Sequence, residues 1–168
     1  MREIILISFL GPDQPNQFTR LMQVLSAHSL QILDVGQAVI HNQLTLGIVV
    51  ASEDQTATAL AMKEILILAH DIGLTVRFKP ISATEYDQWV KEGGRTRYIV
   101  TALAPELNAS HLQAVTQIVS AQGFNIETVT RLSGRPALDG SSTGPKRACI
   151  EFGLKGQMLD AAAMRAAC

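Results

Sequence analysis

The chain repeats itself, and that limits what it can fold into. Arg97-Tyr-Ile-Val-Thr-Ala-Leu103 follows Arg2-Glu-Ile-Ile-Leu-Ile-Ser8 in character, and Gly123-Phe124-Asn125-Ile126 follows Ser29-Leu30-Gln31-Ile32. The offset from Ile4 to Ile99 is 95 residues. A repeat this long makes each copy a unit with its own core. A length of 168 residues leaves room for two small units. Hydrophobic residues make up 47% and charged residues 17%, which supports packed interiors and argues against disorder. Aromatics are only 5%, so the interiors must be mostly aliphatic.

In the first copy, Glu3 to Phe9 is rich in β-branched residues and bounded by Gly11-Pro12, which predicts a buried strand. Pro15 fits the first turn of a helix, where its missing N–H is harmless. Phe18, Leu21, Met22 and Leu25 recur at helical spacing, so the helix is expected over roughly residues 15–28. Leu30 to Ile40 reads as a second strand, with Gly36 marking a bulge or a close backbone approach. His41-Asn42-Gln43 turns the chain into a third strand, Leu44 to Ala51. Ser52-Glu53-Asp54 caps a second helix that Gly73 stops. Leu74 to Phe78 is a fourth strand, ended by Pro80. This is an α+β unit in the ferredoxin-like βαββαβ order, two helices on one face of an antiparallel sheet.

The expected organisation is a first unit at 1–79, a linker at 80–95 and a second unit at 96–168. The linker carries a short helix beginning at Ser82–Glu85, whose Tyr86 and Trp89 dock it on the first unit. The second copy runs strand, helix from Asn108, strand Glu127–Leu132, a Gly, Ser and Pro-rich loop over 133–146, and strand Arg147–Leu154. Asp160 to Cys168 begins an alanine-rich helix, and no room remains for a last strand. Tyr98 to Leu103 would then be an unpaired sheet edge, so the chain reads as part of a longer protein.

Several functions are disfavoured. The net charge is −1 with no basic block, which argues against a nucleic-acid surface. No segment reaches the roughly 18 apolar residues of a membrane span. Cys149, expected to be a buried thiol, and Cys168 make no disulfide framework and suit a reducing cytoplasm. His28, His41, His70 and His111 lack metal-ligand spacing and read as surface or helix-end residues.

One place combines turn formers, a carboxylate and a helix start: Gly11-Pro12-Asp13-Gln14-Pro15-Asn16. A helix N-terminus offers free N–H groups and a positive dipole end to an α-carboxylate. Asp13 can pair with an α-ammonium group. The ligand-binding candidates are therefore Asp13, Gln14, Pro15, Asn16 and Gln17. A plainer reading stays open, in which Asp13 only caps the helix.

The two βαββαβ copies resemble paired ACT domains, which are amino-acid-sensing modules. Gly11-Pro12-Asp13-Gln14-Pro15 resembles the G-x-D-x-P-G start of the ACT loop, and Leu30-Gln31-Ile32-Leu33-Asp34 resembles its G-x-N-I-x-D strand. Asn16 and Gln31 stand where that family has Gly and Asn, and the second copy has Ala104-Pro-Glu-Leu-Asn108 in place of the loop. Further stretches, Ile32 to His41, Val76 to Phe78, Arg97 to Thr101, Arg131 to Arg135 and Cys149 to Phe152, resemble the N-terminal half of long-form bacterial phosphoserine phosphatases. That resemblance implies an L-serine site in the first copy, completed by backbone groups of Leu30, Gln31 and Ile32, often from a second subunit. It implies a homodimer and a Mg²⁺-dependent catalytic domain elsewhere in the parent protein. The family's D-x-D-x-T/S motif does not occur here, so this stretch is expected to hold no catalytic residues, metal or cofactor. The alternatives are a free-standing regulator resembling the glycine cleavage repressor type, or a module that only dimerises.

Overall fold

The computed structural model describes residues 2–93, 97–135 and 147–156. The chain divides into two compact units, Met1–Val90 and Lys91–Cys168.

In the first unit, alternation along the strands decides which side is covered. Strand β1 (Glu3–Pro12) buries Ile5, Ile7 and Phe9, and β3 (Gln43–Ser52) buries Leu44, Leu46, Ile48 and Val50. In a strand every second side chain shares a face, so these seven form one apolar wall. Helices α1 (Gln17–Ala27) and α2 (Gln55–Asp71) cover it with Leu21, Leu25, Ala61, Ile65 and Ala69. With β2 (Gln31–Ile40) and β4 (Thr75–Ile81) the strand order is β2-β3-β1-β4, all pairs antiparallel. This is the ferredoxin-like arrangement. Met22 and Met62 pack against the core as partly buried filler. Asp54 caps α2 by accepting from the N–H groups of Thr56 and Ala57 at 2.9 and 3.0 Å. Gly73 stops it with φ of 74°. His28, at the end of α1, pairs with Glu64 of α2 at 3.2 Å.

Three local expectations are corrected. Pro15 lies before α1, which begins at Gln17 with Asn16 as its N-cap residue. Asn16 is left-handed there (φ 68°), so the chain turns once more before the helix starts. Pro80 does not end β4 but pairs opposite Ile5 within it. The strand is at the sheet edge, where a missing N–H on the outer side breaks no ladder bond. The irregularity of β2 falls at Leu33, between Ile32 and Asp34, and Gly36 sits in regular register opposite Gly47. Gly36 is also open: a Cβ there would meet nothing within 4 Å.

The second unit repeats the plan with β5 (Arg97–Ala104), α4 (Ala109–Ala121), β6 (Asn125–Arg131) and β7 (Ala148–Lys155), in the order β5-β7-β6. Val119, Phe124, Ile150, Phe152 and Leu154 form its core. Strand β6 carries a shift between Ile126 and Thr128, the counterpart of the Leu33 bulge. The bulged Glu127 is held by Lys155 at 3.3 Å and faces Arg97 at 3.8 Å. Cys149 is half-buried rather than buried, because odd positions of β7 point away from the core. The loop over 136–146 and the alanine-rich segment over 157–168 lie outside the described residues, as does the linker end at 94–96.

Helix α3 (Ala83–Gly93), most of which falls in the first unit, starts with a reciprocal cap. The Ser82 N–H and hydroxyl each donate to the Glu85 carboxylate at 2.8 Å, and the Glu85 N–H donates back to the Ser82 oxygen at 3.2 Å. Tyr86 and Trp89 pack against each other with their rings tilted by 46° and centres 5.7 Å apart, and Trp89 stays exposed.

The Ser82 N–H bond first, and its hydroxyl second, hold the Glu85 carboxyl below its usual pKa. A depressed carboxyl stabilises α3 fully above the unfolded glutamate value and loses that effect as pH falls through the lower folded value. Ser82→Ala keeps the Ser82 N–H bond and removes the hydroxyl's, so it should raise the Glu85 pKa part of the way toward the ordinary glutamate range and fray the first turn of α3. Carboxyl NMR titration reads the first effect and Trp89 fluorescence the second. An unchanged Glu85 titration in the variant would remove the Ser82 hydroxyl from the account of the cap.

Candidate functional site

Strand β1 delivers Gly11-Pro12 to the end of the sheet where two other turns arrive. Pro12 lies opposite Gln43, at the β2–β3 hairpin, and Leu10 lies opposite Thr75, at the start of β4. The hairpin is tight, with His41 and Asn42 both at positive φ (48° and 60°), as a two-residue turn of the favoured twist requires. The Asp13 N–H donates to the Asn42 carbonyl at 2.8 Å, tying the loop to that hairpin. On the other side Gly11 packs against the α2–β4 turn. A Cβ on it would lie 2.7 Å from the Gly73 carbonyl oxygen, closer than a side chain can sit.

Gln17 completes the loop. It is 4% exposed, and both of its amide hydrogens are donated to backbone. Oε1 accepts from the Gln14 N–H at 3.0 Å, and Nε2 donates to the carbonyls of Pro12 at 3.1 Å and Ile72 at 3.2 Å. These bonds hold the loop in place of a conventional cap on α1. The Asn16 side chain makes no capping bond, and the first turn of α1 carries no acid. Among the described residues the first-turn N–H groups thus have no side-chain acceptor. Helix α2 has Asp54 for that purpose, and α4 has Asn108, which accepts from the His111 N–H at 3.0 Å. The two copies therefore differ at the same structural point: the second caps its helix and the first does not.

A small open depression lies against this start. It encloses about 330 Å³, including solvent at its mouth, and is lined by Asp13, Gln14, Asn16, Gln17, Phe18, Thr19, Gln37 and Leu44. Among the described residues the Asp13 carboxylate has no hydrogen-bond partner and does not cap the helix. The depression thus offers free donors from α1, a carboxylate, the Gln37 amide and an apolar floor. Those groups suit binding of a small polar molecule.

Four of the eight expected site residues, Asp13, Gln14, Asn16 and Gln17, line the depression. Pro15 shapes the turn between them without lining it. Leu30, Gln31 and Ile32 lie at the other end of the sheet. Gln31 is level with Ala51 and Ile4, whereas the loop is level with Pro12. Eight residues of strand at about 3.3 Å each make this roughly 26 Å. There Leu30 is buried and the Gln31 side chain accepts from the Arg2 guanidinium. Gln37 and Leu44 were not anticipated. Gln37 shares a face with Ile32 only because of the Leu33 bulge, which no residue pattern in β2 announces, and Leu44 was read only as the start of the third strand. Phe18 was read only as part of the apolar stripe of α1, and Thr19 not at all.

Residues 3–79 match the ACT domain. The chain is 29% identical over 133 residues to the phosphoserine phosphatase SerB2 of Mycobacterium tuberculosis, a match covering 79% of this chain and 31% of that protein. The chain thus spans about a third of that relative's length. Among solved structures, a protein of unknown function from Galdieria sulphuraria superposes with a TM-score of 0.71 at 14% identity, covering 99% of this chain and 89% of the other. A putative glycine cleavage system transcriptional repressor superposes with a TM-score of 0.65 at 11% identity, covering 99% and 88%. At such identities these two establish the fold of both units and nothing about their ligands.

Gly11→Ala tests the packing of the loop. The added methyl must displace the Gly73–Leu74 backbone or the loop, and overpacking of this kind costs about 1–3 kcal/mol. The expected result is a lower thermal midpoint by circular dichroism. A midpoint equal to wild type would show that the loop base has slack.

Proposed function

We propose that the first unit is an amino-acid sensor whose ligand is L-serine, and that the chain is the regulatory region of a phosphoserine phosphatase. The observation that carries this reading is the uncapped start of α1 beside the Asp13 carboxylate. An α-carboxylate would sit on the first-turn N–H groups, where the helix dipole favours negative charge. The α-ammonium would pair with Asp13, and Gln37 can take a side-chain hydroxyl. The match of residues 3–79 to the ACT domain and the likeness to SerB2 support the ligand class.

The second half of the expected site, Leu30–Ile32, can approach this loop only from another copy. Strand β2 ends the first sheet, and its outer edge is unpaired among the described residues. Two such edges meeting antiparallel about a two-fold axis would set Gln31 of one copy near Ile40 of its partner, beside the partner's loop. The functional form on this reading is a homodimer with serine at the joint.

Phosphoserine hydrolysis belongs to the proposed parent. The chain has no D-x-D motif, and among the described residues no three His, Cys, Asp or Glu side chains converge to hold a metal. The described residues therefore do not fit the Mg²⁺ of that chemistry. No helix among the described residues is long and apolar enough to cross a membrane, and a cytoplasmic setting is part of the proposal.

Titration calorimetry with millimolar L-serine tests the reading. The expected result is one site per chain, with Asp13→Ala weakening binding about tenfold or more through loss of the charge-assisted pair. The Asp13 backbone bond to Asn42 survives that change, so the loop should hold. Absence of heat with the wild-type chain would count against the serine-sensor reading.

A further inference from the structure

The Gln17 amide joins parts of the first unit that sequence separates widely. Its Nε2 donates to the carbonyl of Ile72, the C-cap residue of α2, 55 positions away. The same amide holds Gln14 and Pro12 of the loop. One buried side chain thus satisfies an end carbonyl of α2 and fixes the start of α1. Directly after Ile72 come Gly73, at positive φ and in contact with Gly11, and Leu74, whose N–H donates to Ala69 at 2.7 Å. Strand β4 and then α3 follow from that turn.

We infer that Gln17 is a positioning residue that couples the Gly11–Asn16 loop to the α2–β4 turn, so that a ligand seated at the loop also tightens the backbone at Ile72–Leu74. The ligand part rests on the serine-sensor reading; the coupling itself does not. The physical basis is that both amide hydrogens are committed, one to each side: Nε2 cannot follow the loop without releasing Ile72, nor follow the turn without releasing Pro12. Loop displacement and loosening of the turn are therefore one event. Since the turn feeds β4 and α3, occupancy of the loop reaches the segment that leads out of the first unit.

The test uses the full chain, the variant Gln17→Met, which keeps volume and removes the three bonds, and Gln17→Glu, which keeps an acceptor for Gln14 and loses both donations. Ile65→Val serves as a control for general destabilisation. Amide hydrogen exchange is followed at Gln14, Gly73 and Leu74 without ligand, and then with millimolar L-serine. In both Gln17 variants, exchange should rise together at Gln14 and at Gly73–Leu74, by about tenfold or more in Gln17→Met. In Ile65→Val the loop and turn should keep their wild-type ratio to the rest of the unit. Faster exchange at Gln14 alone, or a rise no greater than in Ile65→Val, overturns the coupling. With serine, slower exchange at Leu74 in the wild type that vanishes in Gln17→Met while calorimetry shows the variant still binding serine supports the ligand part. Serine that binds without affecting Leu74, or that slows Leu74 equally in Gln17→Met, overturns it. If serine does not bind the wild-type chain, the sensor reading and the ligand part fall together, and the ligand-free exchange still decides the coupling.

Discussion

The burial of one face of β1 is the constraint on which the first unit depends. This strand is flanked on both sides, by β3 and β4, and it directs Ile5, Ile7 and Phe9 under the two helices. Its register with β3 runs unbroken from Glu3 to Pro12. A slip of one residue would turn the whole apolar row to the wrong side. That strictness fixes the far end of the strand, so Gly11 and Pro12 arrive at a defined height beside the hairpin and the α2–β4 turn. The loop is precise because the strand below it has no freedom.

The duplication shows which parts of such a unit tolerate change. Both copies keep the strand order of the first three strands, the core face and the bulge after Ile32 or Ile126. They differ at the loop. In the second copy Asn108 caps α4 and accepts from the Ser110 hydroxyl, and His111 Nδ1 contacts the Glu106 carbonyl at 3.0 Å. In the first copy the bonds run from Gln17 to distant backbone, and the helix start is left uncapped. A cap is local and replaceable, whereas a core face is not. Divergence collects where a few local bonds can be exchanged without moving the sheet.

Much of the fold was legible in the sequence. Alternating β-branched runs gave the strands, Asp54 and Gly73 bounded α2, and Asn108 marked α4, because each of these acts through its neighbours in the chain. The misreadings had non-local causes. Pro15 is a good first-turn residue, but the Gln17 side chain fixes the helix start by reaching Ile72. Pro80 looked like a strand end because its edge position is known only from the sheet order. The loop half of the site was visible from its residue types. The distance from it to Leu30–Ile32 was not, since that needs the register of three strands.

The single extra residue at Leu33 sets the phase of everything after it in β2. Before it, Ile32 lies opposite Val50, on the helix side; after it, Asp34 lies opposite Val49, on the other side, and Gln37 opposite Leu46 returns to the helix side. Without the bulge, parity would carry Gln37 to the far face and bring Ala38 or Gly36 in its place. The polar wall of the depression is thus written two turns of the pleat upstream, as a count of residues. Removing Leu33 itself would only regularise the strand and keep Gln37 opposite Leu46, whereas a one-residue deletion between Gln37 and Ile40 would absorb the bulge, bring Gly36 opposite Leu46 and replace the chemistry of the site, a route by which such a unit could change what it recognises while its core stays as it is.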